Sequence, residues 1–260
     1  MTHMFRTLFA TFGLLLAACA SAPAAEAQAQ SSWTGVERIV VIGDLHGDYA
    51  KFADQLRQAG LINERGDWIG GRTHLVQLGD VPDRAPNTRQ ILDELRRLEP
   101  QARRAGGYVH ALIGNHEAMN VLGDLRYTSA GEFASYAGPN AARLRDAYYQ
   151  QTVAYLRAHP PASGLPTFDD AYRAQWDARH PLGYVEQRAA WAPNGIYGRW
   201  IAAHNAVIVI NDIVFMHGGI GPTFPAATLA PRRSPGSGAW PLRAATVPSD
   251  DFRDQPANIG

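Results

Sequence analysis

Glu37-Arg38-Ile39-Val40-Val41-Ile42-Gly43-Asp44-Leu45-His46-Gly47-Asp48 decides how the chain is read. Four consecutive apolar, β-branched residues closed by a glycine describe a short buried strand. From Asp48 to Ala59 the apolar residues fall at helical spacing (Tyr49, Phe52, Leu56), and the pattern stops at Gly60. The same phrase returns downstream. His74-Leu75-Val76-Gln77-Leu78-Gly79 predicts a second buried strand. Asn87 to Arg104 predicts an amphipathic helix with Ile91, Leu92, Leu95 and Leu98 on one face and Gly106-Gly107 behind it. Tyr108 to Ile113 predicts a third strand. Strand, helix, strand, helix, strand argues for an α/β fold with a sheet between helices, and with ligands beyond the carboxyl ends of the strands.

The texture changes at Gly123. Residues 123–200 show no strand pattern, and helices are expected near Asn140 to Ala158, Phe168 to His180 and Val185 to Trp191, a helical insert. Ala206 to Met216 then predicts two strands joined at Asn211-Asp212. From Gly221 onward seven of the 17 prolines crowd together without periodicity, so 223–260 is expected to be an irregular tail.

Residues 1–18 predict a secretory signal: Arg6, an apolar run from Leu8 to Ala18, then small residues. The single cysteine closes Leu16-Ala17-Ala18-Cys19. This stretch is similar to a bacterial lipobox, which implies cleavage before Cys19, lipidation of its thiol, a flexible lipidated tether over 19–35, and an exported, periplasmic, membrane-anchored protein. The alternative is ordinary cleavage after Ala27. The remaining 36–222 is expected to form the working domain. Composition bounds that function. With 46% hydrophobic residues the chain can build a core, and a formal net charge of zero disfavours a general nucleic-acid binder. One cysteine can form neither an internal disulfide nor a thiolate metal cluster.

Chemistry gathers at the strand ends: Gly43-Asp44-Leu45-His46-Gly47-Asp48, Gly79-Asp80-Val81-Pro82-Asp83-Arg84, Gly114-Asn115-His116-Glu117 and His217-Gly218-Gly219. Each alone is an ordinary turn or a satisfied histidine. Together they bring Asp, His, Asp, Asn, His and His to what the pattern predicts is one sheet edge. That is a mixed oxygen and nitrogen donor set suited to first-row divalent metals.

The four clusters, in this order, resemble the motifs of calcineurin-like metallophosphoesterases of the phosphoprotein phosphatase branch. Asn115 to Asn120, Gly123 to Tyr127 and Tyr197 to Trp200 are similar, more narrowly, to the Shewanella-like phosphatases. The second motif carries Ala85 where that family usually has glycine. The resemblance implies that family's layered sheet and helix fold with a helical insert, and two divalent ions (Mn, Fe or Zn). Asp44 and His46 would hold the first ion, Asp80 would bridge, and Asn115 and His217 would hold the second. A hydroxide between the ions would attack phosphorus, with His116 protonating the leaving oxygen, Asp83 orienting His116 and Arg84 clamping phosphate. Arg126, Arg188 and Arg199 are further candidates, with a structural role as the alternative. Asp48 and Glu117 are read as supporting rather than ligating. The implied activity is hydrolysis of phosphomonoesters in proteins, on Tyr or Ser/Thr, or in small molecules. The family also has a histidine in a later Gly-His motif and further strands; no histidine follows His217 here. The last strands are therefore expected to be lacking and the end truncated, leaving an inactive remnant or binding lipoprotein as one alternative and a phosphodiesterase or nucleotide phosphatase as another.

Overall fold

A computed structural model describes residues 30–221. The stretch expected to be an export signal, Cys19 and most of the proline-rich tail lie outside the described residues.

Three strands form the predicted parallel sheet: β2 (Ile39–Ile42), β3 (His74–Gln77) and β4 (Tyr108–Ala111), in that spatial order. β1 (Ser32–Trp33) precedes them. The helices α1 (Tyr49–Gln58) and α2 (Thr88–Arg104) make the two crossovers. Asp48 starts α1 by accepting the Lys51 N–H with its side chain at 3.0 Å, which accounts for it structurally. The register matters most for the site. Ile39 pairs with His74 and His74 with Tyr108, while Ile42 pairs with Gln77 and Gln77 with Ala111. The three strands therefore end level, and the loops that follow them open side by side.

Alternation along β3 divides the core. Leu75 belongs to a cluster with Phe52, Leu56, Ile91, Leu92, Leu95 and Leu98 from the two crossover helices. Val76, on the opposite face, packs with Leu112, Ile208, Ile210 and Phe215. The latter three come from a second sheet, ordered β1-β5-β6, where β5 is Val207–Ile210 and β6 is Ile213–Met216; the parallel sheet therefore lies between helices and another sheet, not between helices on both faces as expected. Asn211 and Asp212 join them as expected, with φ of 47° and 70°, the left-handed pair of a tight hairpin turn.

Between the sheets in sequence lie α3 (Asn115–Leu122), α4 (Ala130–Tyr136), α5 (Ala141–Ala158), α6 (Asp170–Arg179), α7 (Tyr184–Trp191) and α8 (Ile196–Ala202). The three helices expected here are α5, α6 and α7. Helices α3, α4 and α8, of eight, seven and seven residues, were not expected; each buries only about one turn of side chains, too few for a period to stand out.

Three further expectations need correction. Residues 32–33 were assigned to a flexible tether, yet they form β1, parallel to β5, with the Val209 N–H donating to the Ser31 carbonyl at 2.9 Å. Strand β2 was expected to be buried, yet Val41 is 43% exposed. It shares a face with its register partner Val76, but β2 is an edge strand and the described part of the second sheet does not cover it. The ligand-type residues were expected at one sheet edge, yet His217 arrives from the end of β6, in the other sheet.

Candidate active site

The loops after β2, β3 and β4 are tied to one another by backbone. The amides of Leu45 and His46 both donate to the Asp80 carbonyl at 3.0 Å, and the Gly47 amide donates to the Val81 carbonyl at 2.8 Å. The carboxylate of Glu117 fastens the third loop to the second. It accepts from the amides of Gly114 at 2.7 Å, Asp80 at 2.9 Å and Val81 at 2.8 Å. Burial pushes the Glu117 carboxyl up, and the three N–H groups oppose that shift. Gly114 lies so close to Asp80 that a Cβ would overlap the Asp80 carboxylate. Any other residue there would force the bridging loop away from α3.

Backbone strain concentrates in these loops. Among the described residues, six non-glycine residues have left-handed φ, and four of them are His46, Asp80, Asp83 and Arg84. Such conformations cost about 1–3 kcal/mol each and persist where the surroundings over-determine them. Ala85 is not among the six. The position needs no glycine, which explains why a methyl stands there.

The geometry fits a metal. His46 Nδ1 lies 3.1 Å from the Pro82 carbonyl, which makes Nδ1 the protonated nitrogen and leaves Nε2 with its lone pair. That Nε2 is buried and has no hydrogen-bond partner. Burial holds the ring below the usual histidine range, hence neutral and able to ligate. Two sets of side chains place ligand atoms within 4.8 Å of one another: His46, Asp80 and His116, and Asp44, Asp80 and His217. Asp80 belongs to both. Its Oδ1 accepts the His116 amide at 3.0 Å, and its Oδ2 lies 3.2 Å from His217 Nε2. Burial works against ionising Asp80, but His217 and the His116 amide outweigh it and hold the carboxyl below its usual range. Asn115 Oδ1 lies 3.0 Å from His217 Nε2, so the fourth loop meets the third. The hydrogen bond to Asp80 raises the His217 pKa.

Asp83 and His116 form a buried pair, with His116 Nδ1 2.6 Å from Asp83 Oδ2 and Nε2 3.9 Å from Asp80 Oδ2. Arg84 is exposed beside them, its amide donating to the Tyr127 carbonyl at 3.0 Å. The structure thus brings together Asp44, His46, Asp80, Asp83, Arg84, Asn115, His116 and His217. The three other arginines have different partners. Arg126 forms an exposed ion pair with Asp124 at 2.7 Å, Arg188 caps α3 through the carbonyls of Asn120 and Val121, and Arg199 donates to the Asn194 carbonyl. Sequence reasoning missed Asn120, Thr128 and Gln187, which meet behind Asp83. Only Asn120, one helical turn after His116, left a signal that could have been used.

This arrangement of loops, ligand atoms and buried dyad defines a class. Residues 37–234 match the calcineurin-like phosphoesterase family, and the chain belongs to it. More particularly, it is 37% identical to Shewanella-like protein phosphatase 2 of Arabidopsis thaliana over 195 residues, which cover 74% of this chain and 48% of that protein. It is 36% identical to Shewanella-like protein phosphatase 1 of Plasmodium berghei over 104 residues, 40% of this chain and 28% of the relative. The chain thus spans about half the length, or less, of these curated relatives. Among solved structures it is similar to the cold-active protein-tyrosine phosphatase of a psychrophilic Shewanella, with 27% identity and a TM-score of 0.50, covering 74% of this chain and 44% of that one.

Proposed function

We propose that this chain hydrolyses phosphomonoesters, with phosphorylated proteins as its substrates, at a site holding two divalent ions of Mn, Fe or Zn. Asp44, His46 and Asp80 would hold one ion, and Asp80, Asn115 and His217 the other. The observation that carries this reading is that Asp80 belongs to both clusters of ligand atoms, one with His46 and His116 and the other with Asp44 and His217, while the Asp83–His116 pair faces it; the division of the ligands between the two ions follows the family resemblance. Ions bound there would draw charge from phosphate oxygens and lower the pKa of a water molecule enough for it to attack near neutral pH.

The chain's own residues do the rest. Arg84, exposed at the rim, offers a planar fork of donors to phosphate oxygens. Asp83 accepts from His116 Nδ1, which turns Nε2 toward the space above Asp80, where a proton on Nε2 can pass to the departing oxygen. Tyr127 is half exposed with its ring centroid 5.2 Å from that of His116. Relatives named as protein and protein-tyrosine phosphatases support phosphotyrosine as the first substrate to try. Export and a lipid anchor at Cys19 are proposed on the sequence alone.

The test is to assay p-nitrophenyl phosphate, bis(p-nitrophenyl) phosphate and phosphotyrosine or phosphoserine peptides, with manganese and after chelation. Metal-dependent turnover of the monoesters is expected. Faster turnover of the diester would make this a phosphodiesterase, and no turnover with metal bound would leave a binding protein.

A further inference from the structure

Behind the Asp83–His116 pair lies a run of polar side chains that the reaction above does not use. Asp83 Oδ2, already bound to His116, also accepts from Asn120 Nδ2 at 3.0 Å, and Oδ1 accepts from Thr128 Oγ1 at 2.8 Å. Asn120 Nδ2 also donates to the His116 carbonyl at 3.1 Å, and Asn120 Oδ1 accepts from Gln187 Nε2 at 2.9 Å. Asp83, Asn120 and Gln187 have no solvent exposure at all. Gln187 lies in α7, 67 residues from Asn120 in sequence.

The directions are fixed by chemistry. An ionised carboxylate only accepts, so Asn120 must present its NH2 group to Asp83. That orientation turns Asn120 Oδ1 away, toward a donor, and Gln187 supplies it. Reversing the Asn120 amide would set oxygen against oxygen on one side and NH2 against NH2 on the other. Gln187 Oε1 itself has no partner, so this glutamine is held in the interior by what it donates. A buried polar group without a full set of hydrogen bonds is costly, and its other bonds have to offset the cost.

We propose that Thr128, Asn120 and Gln187 are positioning residues for His116: they lock the Asp83 carboxylate in plane and thereby aim the imidazole, with Gln187 coupling helix α7 to the proton donor. This rests on the reading of His116 as the proton donor. If it holds, removing the network harms most the reactions that need protonation of the leaving oxygen. A displacement of order 1 Å in a catalytic group costs up to about 10²-fold, and loss of one member of a network costs less. Gln187→Met is therefore expected to lower kcat/KM about 10-fold for glycerol phosphate and less than about 2-fold for p-nitrophenyl phosphate, whose leaving group needs little protonation.

The experiment is a double-mutant cycle with His116→Asn on both substrates, with metal content and thermal melting recorded for each variant. In the His116→Asn background, Gln187→Met should have no further effect on either substrate. Thr128→Val should show the same leaving-group signature and Thr128→Ser should restore it, which keeps the test alive if Gln187→Met does not fold. Equal losses on both substrates, or losses that persist in full without His116, would overturn the proposal and leave a purely structural network. If His116→Asn itself shows no leaving-group dependence, the proton-donor reading fails; if it does while Gln187 and Thr128 variants do not, only the positioning network fails.

Discussion

At Asp80 the backbone turns left-handed, with φ 56°, so that one carboxylate oxygen accepts the His116 amide while the other looks into the site. Asn in its place keeps the shape and removes the charge that both ligand sets share. Asp80→Asn is expected to lose bound metal from both positions and to lower p-nitrophenyl phosphatase activity by more than roughly 10²-fold, a loss above that of disturbing only a metal's outer partners. Metal analysis of the purified variant checks it, and two ions retained per chain would contradict the bridging role. His116→Asn should behave differently. The metal stays, and alkyl phosphate turnover falls by roughly 10²- to 10⁴-fold, the usual size of a proton-donor contribution. The two variants separate holding the ions from moving the proton.

Helices α3 and α4 each bury one carboxyl group, with opposite consequences. Glu117 in α3 is satisfied by three backbone amides, so Glu117→Ala leaves three buried donors without an acceptor. It is expected to cost on the order of 3–5 kcal/mol in urea unfolding, more than Glu117→Gln, which keeps one oxygen. Glu132 in α4 is the reverse case. It is fully buried, and neither oxygen has a hydrogen-bond partner of good geometry, although the nearby Thr88 hydroxyl favours the charged form. Burial first, and then the charge of Asp83, push its carboxyl up to about 8 from an ordinary 4.5. The folded protein therefore keeps a proton that the unfolded chain gives up. Its contribution to stability is full below pH 4.5 and is lost as pH rises through about 8. Glu132→Gln should raise Tm at pH 8 and change it little at pH 5. Equal shifts at the two pH values, read by calorimetry, would rule out this account.

Across the whole molecule the ligand atoms come from two sheets. Asp44, Asp80 and Asn115 follow strands of the parallel sheet, and His217 follows β6 of the other. Ions bound between them would link the sheets in the folded state only, so metal should stabilise by mass action. Manganese at 100 times its Kd is expected to add about 2.7 kcal/mol, or several degrees of Tm. His217→Ala should shrink that gain, and it should also lower the metal-free melting temperature, because the buried Asp80 carboxylate loses the partner that helps to hold it ionised. A melting temperature indifferent to manganese in the parent protein would mean that the sheets are not joined through these residues.

The parallel sheet was legible because its strands are short apolar runs closed by glycine, and because α1 and α2 bury a single stripe each, as Phe52 and Leu56 or Ile91, Leu95 and Leu98 do. The site residues were legible for a related reason: a strand end followed by glycine and a polar residue is a local signal, repeated at Gly43-Asp44, Gly79-Asp80 and Gly114-Asn115, and His217-Gly218-Gly219 closes the last strand. What sequence alone determined about this protein is therefore everything that depends on near neighbours in the chain. Tertiary structure alone decided what depends on distance. It placed Ser32 and Trp33 in a strand, because their partners Val209 and Ile210 in β5 lie 177 residues away and two residues carry no period. It left Val41 exposed, because burial of an edge strand depends on what covers it. It joined Gln187 to Asn120 and Asp83, because a buried amide is held by whichever donor or acceptor the fold brings opposite it, and no spacing along the chain records that.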